Sequence, residues 1–109
     1  MLSIPITQPI TATGTDSHYV ELHLRRLGAR VELRAIDIQY FAVTGRYDAD
    51  ELGVEIVDEE EAIDAASDLE ALAERHLEAT GDLGRCDQGW GEAVEAILYP
   101  AHAHAIAAE

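Results

Sequence analysis

The sequence predicts an α+β domain: an antiparallel β-meander of three to five strands, followed by two or three C-terminal helices packed on one face. Three observations predict it. Apolar and polar residues alternate between residues 20 and 35, apolar residues recur at helical spacing between 62 and 77, and charge divides at the same boundary. At 109 residues the chain reads as a single domain, 1–109, mainly strands over 1–57 and mainly helices over 58–109. An apolar content of 48% is too rich for a disordered chain of this charge.

The alternation of Leu2, Ile4 and Ile6 suits a strand, which Pro5 places at an edge and Pro9 helps to end. Val20-Glu21-Leu22-His23-Leu24-Arg25 is apolar at even positions, and Val31-Glu32-Leu33-Arg34-Ala35 resumes the pattern after Leu27-Gly28. A hairpin turning at Leu27-Gly28 sets Leu24 against Val31, Leu22 against Leu33 and Val20 against Ala35. The other face then pairs His23 with Glu32 and Glu21 with Arg34, and opposes Arg25 to Arg30. After Ala35 the apolar phase moves to Ile36, Ile38 and Tyr40, then to Phe41 and Val43, which predicts a bulge or a break. Thr44-Gly45-Arg46-Tyr47-Asp48 supplies a turn, and Gly53–Val57 one further short strand.

Asp58 reads as a helix N-cap with Glu61 as its capping-box partner, and Thr80-Gly81 as the C-cap. Ala62, Ala65, Ala66, Leu69, Leu72, Ala73, His76 and Leu77 share one helix face, and Glu60, Asp64, Asp68, Glu70, Glu74 and Glu78 fill the opposite one. Like charges at i,i+4 along that ridge cost roughly 0.2–0.5 kcal/mol per pair. A second helix carries Val94, Ile97, Leu98 and Ala101 on one side, and Pro100 ends or kinks it or begins a terminal helix from Ala101 to Ala108.

The formal net charge is −15, and lysine and asparagine are absent. Residues 1–47 hold four acids against five arginines, a net of +1, whereas residues 48–109 hold 18 acids against two, a net of −16. Direct binding of nucleic acid or anionic lipid by the acidic half is therefore excluded by repulsion. No secretory leader and no apolar run of about 18 residues is visible, so the expectation is a cytoplasmic protein with no membrane contact.

Candidate chemistry is sparse. The segment Asp48-Ala49-Asp50-Glu51-Leu52-Gly53 with Glu59 imitates a calcium loop, but Leu52 brings no oxygen to the fifth position, so a solvated acidic loop is the plainer reading. His102 and His104 lie about 200° apart on a helix and cannot chelate together there. His76, on the apolar helix face, reads as a packed histidine, and Cys86 as an isolated thiol flanked by Arg85 and Asp87. No metal, cofactor or catalytic residue is assigned, and no phosphate-loop, nucleophile-elbow or zinc-protease motif is present.

The leading expectation is a non-enzymatic acidic protein-binding domain that engages a basic protein surface. In its narrower form it is an inhibitor or nucleic-acid mimic that blocks a basic nucleic-acid-binding surface of a defence or replication protein. Its partner-facing residues would be Asp48, Asp50, Glu60, Asp64, Asp68 and Glu74; Trp90 either joins them as an exposed hot spot or anchors the second helix to the core. The alternative is a salt-adapted small accessory subunit whose acidity serves solubility. A small enzyme or metal protein using His76, Cys86 or the Asp48 loop is the third reading. A homodimer is compatible with the exposed strand edges and the Ala-rich tail.

Overall fold

The computed structural model describes residues 9–84 and 88–100. Four strands, β1 (Pro9–Gly14), β2 (His18–Leu27), β3 (Arg30–Phe41) and β4 (Arg46–Asp58), form an antiparallel meander in the order β1-β2-β3-β4. A 3₁₀ turn, Glu59–Glu61, leads into α1 (Ala62–Ala79), and α2 (Trp90–Leu98) follows. Among the described residues this is the expected α+β meander with two helices. The expected strand at Leu2, Ile4 and Ile6, the Cys86 segment and a terminal helix from Ala101 lie outside the described residues, as do His102 and His104.

The β2–β3 hairpin turns at Gly28-Ala29, one residue later than the pattern suggests. Leu24 therefore pairs with Leu33, Leu22 with Ala35 and Val20 with Asp37. A two-residue slip keeps every side chain on its expected face, which is why alternation alone does not distinguish the two registers. Charge does distinguish them. Arg25 leaves Arg30 and faces Glu32, with its Nη2 3.1 Å from Glu32 Oε2. His23 faces Arg34 and bonds Glu21 on its own strand at 3.1 Å.

β3 keeps one phase along its whole length, so the expected break is absent there. The irregularity lies in β4: Ala35 pairs with Gly53 but Ile36 with Glu51, leaving Leu52 as the extra residue. The bulge turns Leu52 and Gly53 towards the helices, and beyond it Asp50 and Asp48 share the helix-side face. Asp48 to Gly53 is thus extended strand and does not take the loop form that the calcium reading requires. β1 was not expected where it lies: Pro9 is the first residue of this edge strand, a position that tolerates proline.

One face of the sheet carries Val20, Leu22, Val31, Leu33 and Ala35, which pack against Ala62, Ala66, Leu69, Ala73 and Leu77 of α1. Trp90, Val94 and Leu98 of α2 close the side of this core. The expected Asp58 cap does not form. Asp58 makes no side-chain cap bond and instead lies 3.7 Å from Arg30, which it faces across the sheet. The C-terminal end of α1 is as expected. Gly81 adopts φ +77°, its N–H donates to Glu78 O at 3.1 Å, and the Asp82 N–H donates to Leu77 O at 2.9 Å, the paired bonds of a Schellman motif.

α2 approaches α1 through Gly91, where an ideal Cβ would lie 3.0 Å from Ser67 Oγ. Glu70 does not belong to a free acidic ridge: its Oε1 accepts the Trp90 N–H at 3.1 Å and so caps the start of α2. Trp90 is fully buried, which corrects the partner-facing reading of this residue; it anchors α2 in the core. Trp90→Ala should therefore cost about 3–5 kcal/mol, read as a lowered urea midpoint at unchanged slope. A loss below about 1 kcal/mol would contradict this packing role.

Candidate functional site

Beyond the C-terminal end of α1 the helix-side face of the sheet stops being apolar. Val20 and Leu22 continue in phase to His18, and Leu33 and Ala35 continue to Asp37, so a histidine and an aspartate occupy core-facing positions. Both are buried, at 5% and 7% exposure. Two further elements reach them. His76 comes from the last turn of α1, and the Schellman turn brings Asp82 in behind His18.

The β1–β2 turn fixes His18. Thr15 N–H donates to His18 O at 2.8 Å, and His18 N–H donates to Thr15 Oγ1 at 3.1 Å. Gly14 permits this close turn, because at φ +135° an ideal Cβ would stand 2.5 Å from His18 O. The imidazole spans two carboxylates: Nε2 lies 2.7 Å from Asp37 Oδ1 and Nδ1 lies 2.8 Å from Asp82 Oδ2. The Thr80 hydroxyl stands 2.8 Å from the same Asp82 oxygen and 3.1 Å from Leu77 O. His76 Nε2 sits 3.2 Å from the other oxygen of Asp37. That separation allows ion-pair attraction, but the direction is wrong for a hydrogen bond, so this buried nitrogen has no hydrogen-bond partner. The two imidazoles meet edge to face, with centroids 5.6 Å apart at 83°.

The electrostatics follow from this geometry. Burial opposes a charge on His18, but the hydrogen bonds to Asp82 and Asp37 and the charges of both carboxylates outweigh it, and the pKa is raised above 6.5. Asp82 is lowered below 3.8, first by its bond with His18 and then by that with Thr80. With both ring nitrogens against carboxylate oxygens, the imidazolium satisfies both contacts as a donor.

The residues expected to face a partner lie elsewhere or at the margin of this cluster. Asp50 pairs with Asp37 across the β3–β4 ladder, and Asp48 with Gln39, so both lie on the same face as the cluster and are exposed. Glu60, Asp64, Asp68 and Glu74 are exposed on the 3₁₀ turn and α1. Among the described residues none of these six takes part in an ion pair. The arginines of β2 and β3 are committed to other acids: Arg25 and Arg34 to Glu32, Arg34 also to Glu51 at 2.9 Å, Arg26 to Glu59 and Arg30 to Asp58.

Comparison with protein-family models, with curated proteins and with solved structures finds no match.

Sequence reasoning took His76 first as a packed residue, naming it for chemistry only in the third, enzyme or metal-protein reading, and missed His18, Asp37 and Asp82. The signal for the first two was their phase: polar residues at the two positions where the strand pattern demands apolar ones. Asp82 was hidden, because its role depends on the turn geometry after Gly81.

The two pKa shifts set opposite edges of a pH window. The contribution of His18, raised above 6.5, is complete below that pH and is lost as pH rises through the folded value. That of Asp82, lowered below 3.8, is complete above that pH and is lost as pH falls through its folded value. Urea midpoints measured with chelator present should therefore fall above pH 6.5 relative to those of His18→Gln. A constant difference between the two proteins from pH 5 to 9 would contradict the assignment.

Proposed function

We propose that the protein is a non-enzymatic binding domain whose exposed carboxylates engage a basic surface of another protein. One observation supports this reading above the others: the arginines of β2 and β3 pair with acids on the sheet and the adjoining 3₁₀ turn, while Asp48, Asp50, Glu60, Asp64, Asp68 and Glu74 are exposed and unneutralised. Unpaired acids at i,i+4, such as Asp64 and Asp68, weaken α1 by roughly 0.2–0.5 kcal/mol per pair. A ridge that costs stability in isolation recovers it when a cationic partner neutralises it, and its field steers the encounter.

Charge density chooses between the broad and narrow forms. α1 spans about 27 Å at 1.5 Å per residue. Duplex DNA carries one charge per about 1.7 Å, or roughly 16 over that length. The exposed acids of α1 (Asp64, Asp68, Glu74 and Glu78) supply only four. α1 by itself therefore suits a discrete basic patch better than it imitates a duplex. Occlusion of a nucleic-acid site requires the β4 acids Asp48 and Asp50 to contribute as well.

Two double variants with equal charge change test the reading. Asp64→Asn with Asp68→Asn should abolish capture of a protein partner from host extract at about 0.1 M salt, where the screening length is ~10 Å. Asp16→Asn with Glu92→Gln should leave capture intact. The first pair should also stabilise the free protein by a few tenths of a kcal/mol at low salt, since it removes like-charge neighbours. Equal capture by both variants, or none by the wild type, would overturn the proposal. Stability that depends on molar salt would install the salt-adaptation reading in its place.

A further inference from the structure

We infer that His18 Nε2, His76 Nε2 and a carboxylate oxygen of Asp37 form a binding site for one divalent transition-metal ion of the zinc class. This inference is independent of the acidic partner surface. The three donors come from β2, α1 and β3, and their ligand atoms all lie within 4.8 Å of one another. A four-coordinate ion with bonds of about 2.0–2.2 Å needs donors roughly 3–3.5 Å apart. The contacts of 2.7 Å and 3.2 Å between Asp37 and the two imidazoles lie close to that spacing, and the separation between the imidazole donors, within 4.8 Å, is closed by side-chain rotation when the ion binds.

Three observations separate this cluster from an incidental group of polar residues. First, the His18 and Asp37 side chains are buried, at 7% and 9% exposure, on the face where the strand pattern otherwise places aliphatic residues. Secondly, His76 Nε2 is buried and stands beside Asp37, yet its lone pair or proton makes no hydrogen bond. Thirdly, Asp82 holds the opposite nitrogen of His18 at 2.8 Å and is itself held by Thr80 at 2.8 Å. A carboxylate on the far ring nitrogen is the usual device that orients a metal-binding histidine and raises its basicity. Here it points Nε2 at Asp37 and His76.

The donor set selects the ion. Two imidazole nitrogens and one carboxylate oxygen suit zinc, cobalt, nickel, copper or iron(II), whereas calcium and magnesium favour oxygen ligands throughout. Three protein ligands leave at least one coordination position for water or for a further carboxylate. Asp50, the ladder partner of Asp37 on the same face, is the nearest such group by register. His76, whose side chain is 34% exposed, marks the side from which an ion enters. The net charge of −15 raises the local cation concentration there.

The test uses the full chain, stripped with chelator and dialysed. Zinc is titrated by calorimetry and cobalt by its visible spectrum. The expected result is one ion per chain, undisturbed by millimolar magnesium or calcium. His76→Ala, folded by circular dichroism because the side chain is partly exposed, should weaken zinc binding at least as much as Asp82→Asn. Asp82→Asn should itself weaken it by about 10–100-fold. His102→Ala with His104→Ala should leave binding unchanged. Absence of binding by the wild type, binding that survives His76→Ala, or binding lost only with the tail histidines would overturn the inference.

Discussion

The chain of contacts from Asp82 through His18 to Asp37 is the constraint around which the end of the molecule beyond α1 is arranged. It joins the turn after α1 to β2 and β2 to β3, so one imidazole fixes where the helix ends over the sheet. Its inner half is buried. Removing one member of a buried charged pair typically costs about 3–5 kcal/mol, because the remaining charge is stranded. The outer half, through the partly exposed Asp82, contributes less to stability and more to orientation. The Schellman turn at Gly81 and the tight turn at Gly14 lie on either side of this imidazole: Gly81 supplies a positive φ of 77°, and Gly14 leaves room for His18 O that a Cβ would fill.

A second theme is how the charge is partitioned. The arginines of β2 and β3 are paired locally, and Glu32 alone receives Arg25 and Arg34. The excess of carboxylates is thereby left on β4, the 3₁₀ turn and α1. At the edge strand β4 these carboxylates have an additional physical effect, since like charges along a long open edge discourage pairing with another chain. The cluster around His18 lies where that acidic edge meets the end of the helix. The edge thus lies beside the histidine cluster inferred to hold a metal ion.

Much of the architecture was legible because burial writes itself as periodicity. The faces of β2 and β3, the Ala/Leu stripe of α1 and the Thr80-Gly81 stop all followed from spacing. The register of the hairpin did not, because a slip of two residues conserves both faces; only the Arg25–Glu32 attraction over the Arg25–Arg30 repulsion separates the alternatives. The bulge was assigned to β3 on the evidence of Ile36 and Ile38, whereas it lies at Leu52. The reason is that Ile36 and Ile38 are buried on the sheet face opposite the helices, a packing that alternation on one strand does not report. Trp90 was ambiguous from its flanking glycines, and Gly91 resolves it by admitting α2 against Ser67. The candidate site was the least legible part. His18 and Asp37 announce themselves only as exceptions to the pattern, and Asp82 only through the geometry of a turn.

The central claim is that His18 couples the end of α1 to the sheet through Asp82. A double-mutant cycle on His18→Gln and Asp82→Asn, read from urea unfolding at pH 6 with chelator present, measures that coupling directly. The account predicts an interaction energy of about 1 kcal/mol or more, in the range seen for residues sharing one hydrogen-bonded network. Additivity within about 0.3 kcal/mol would show that the two residues act independently and would contradict it.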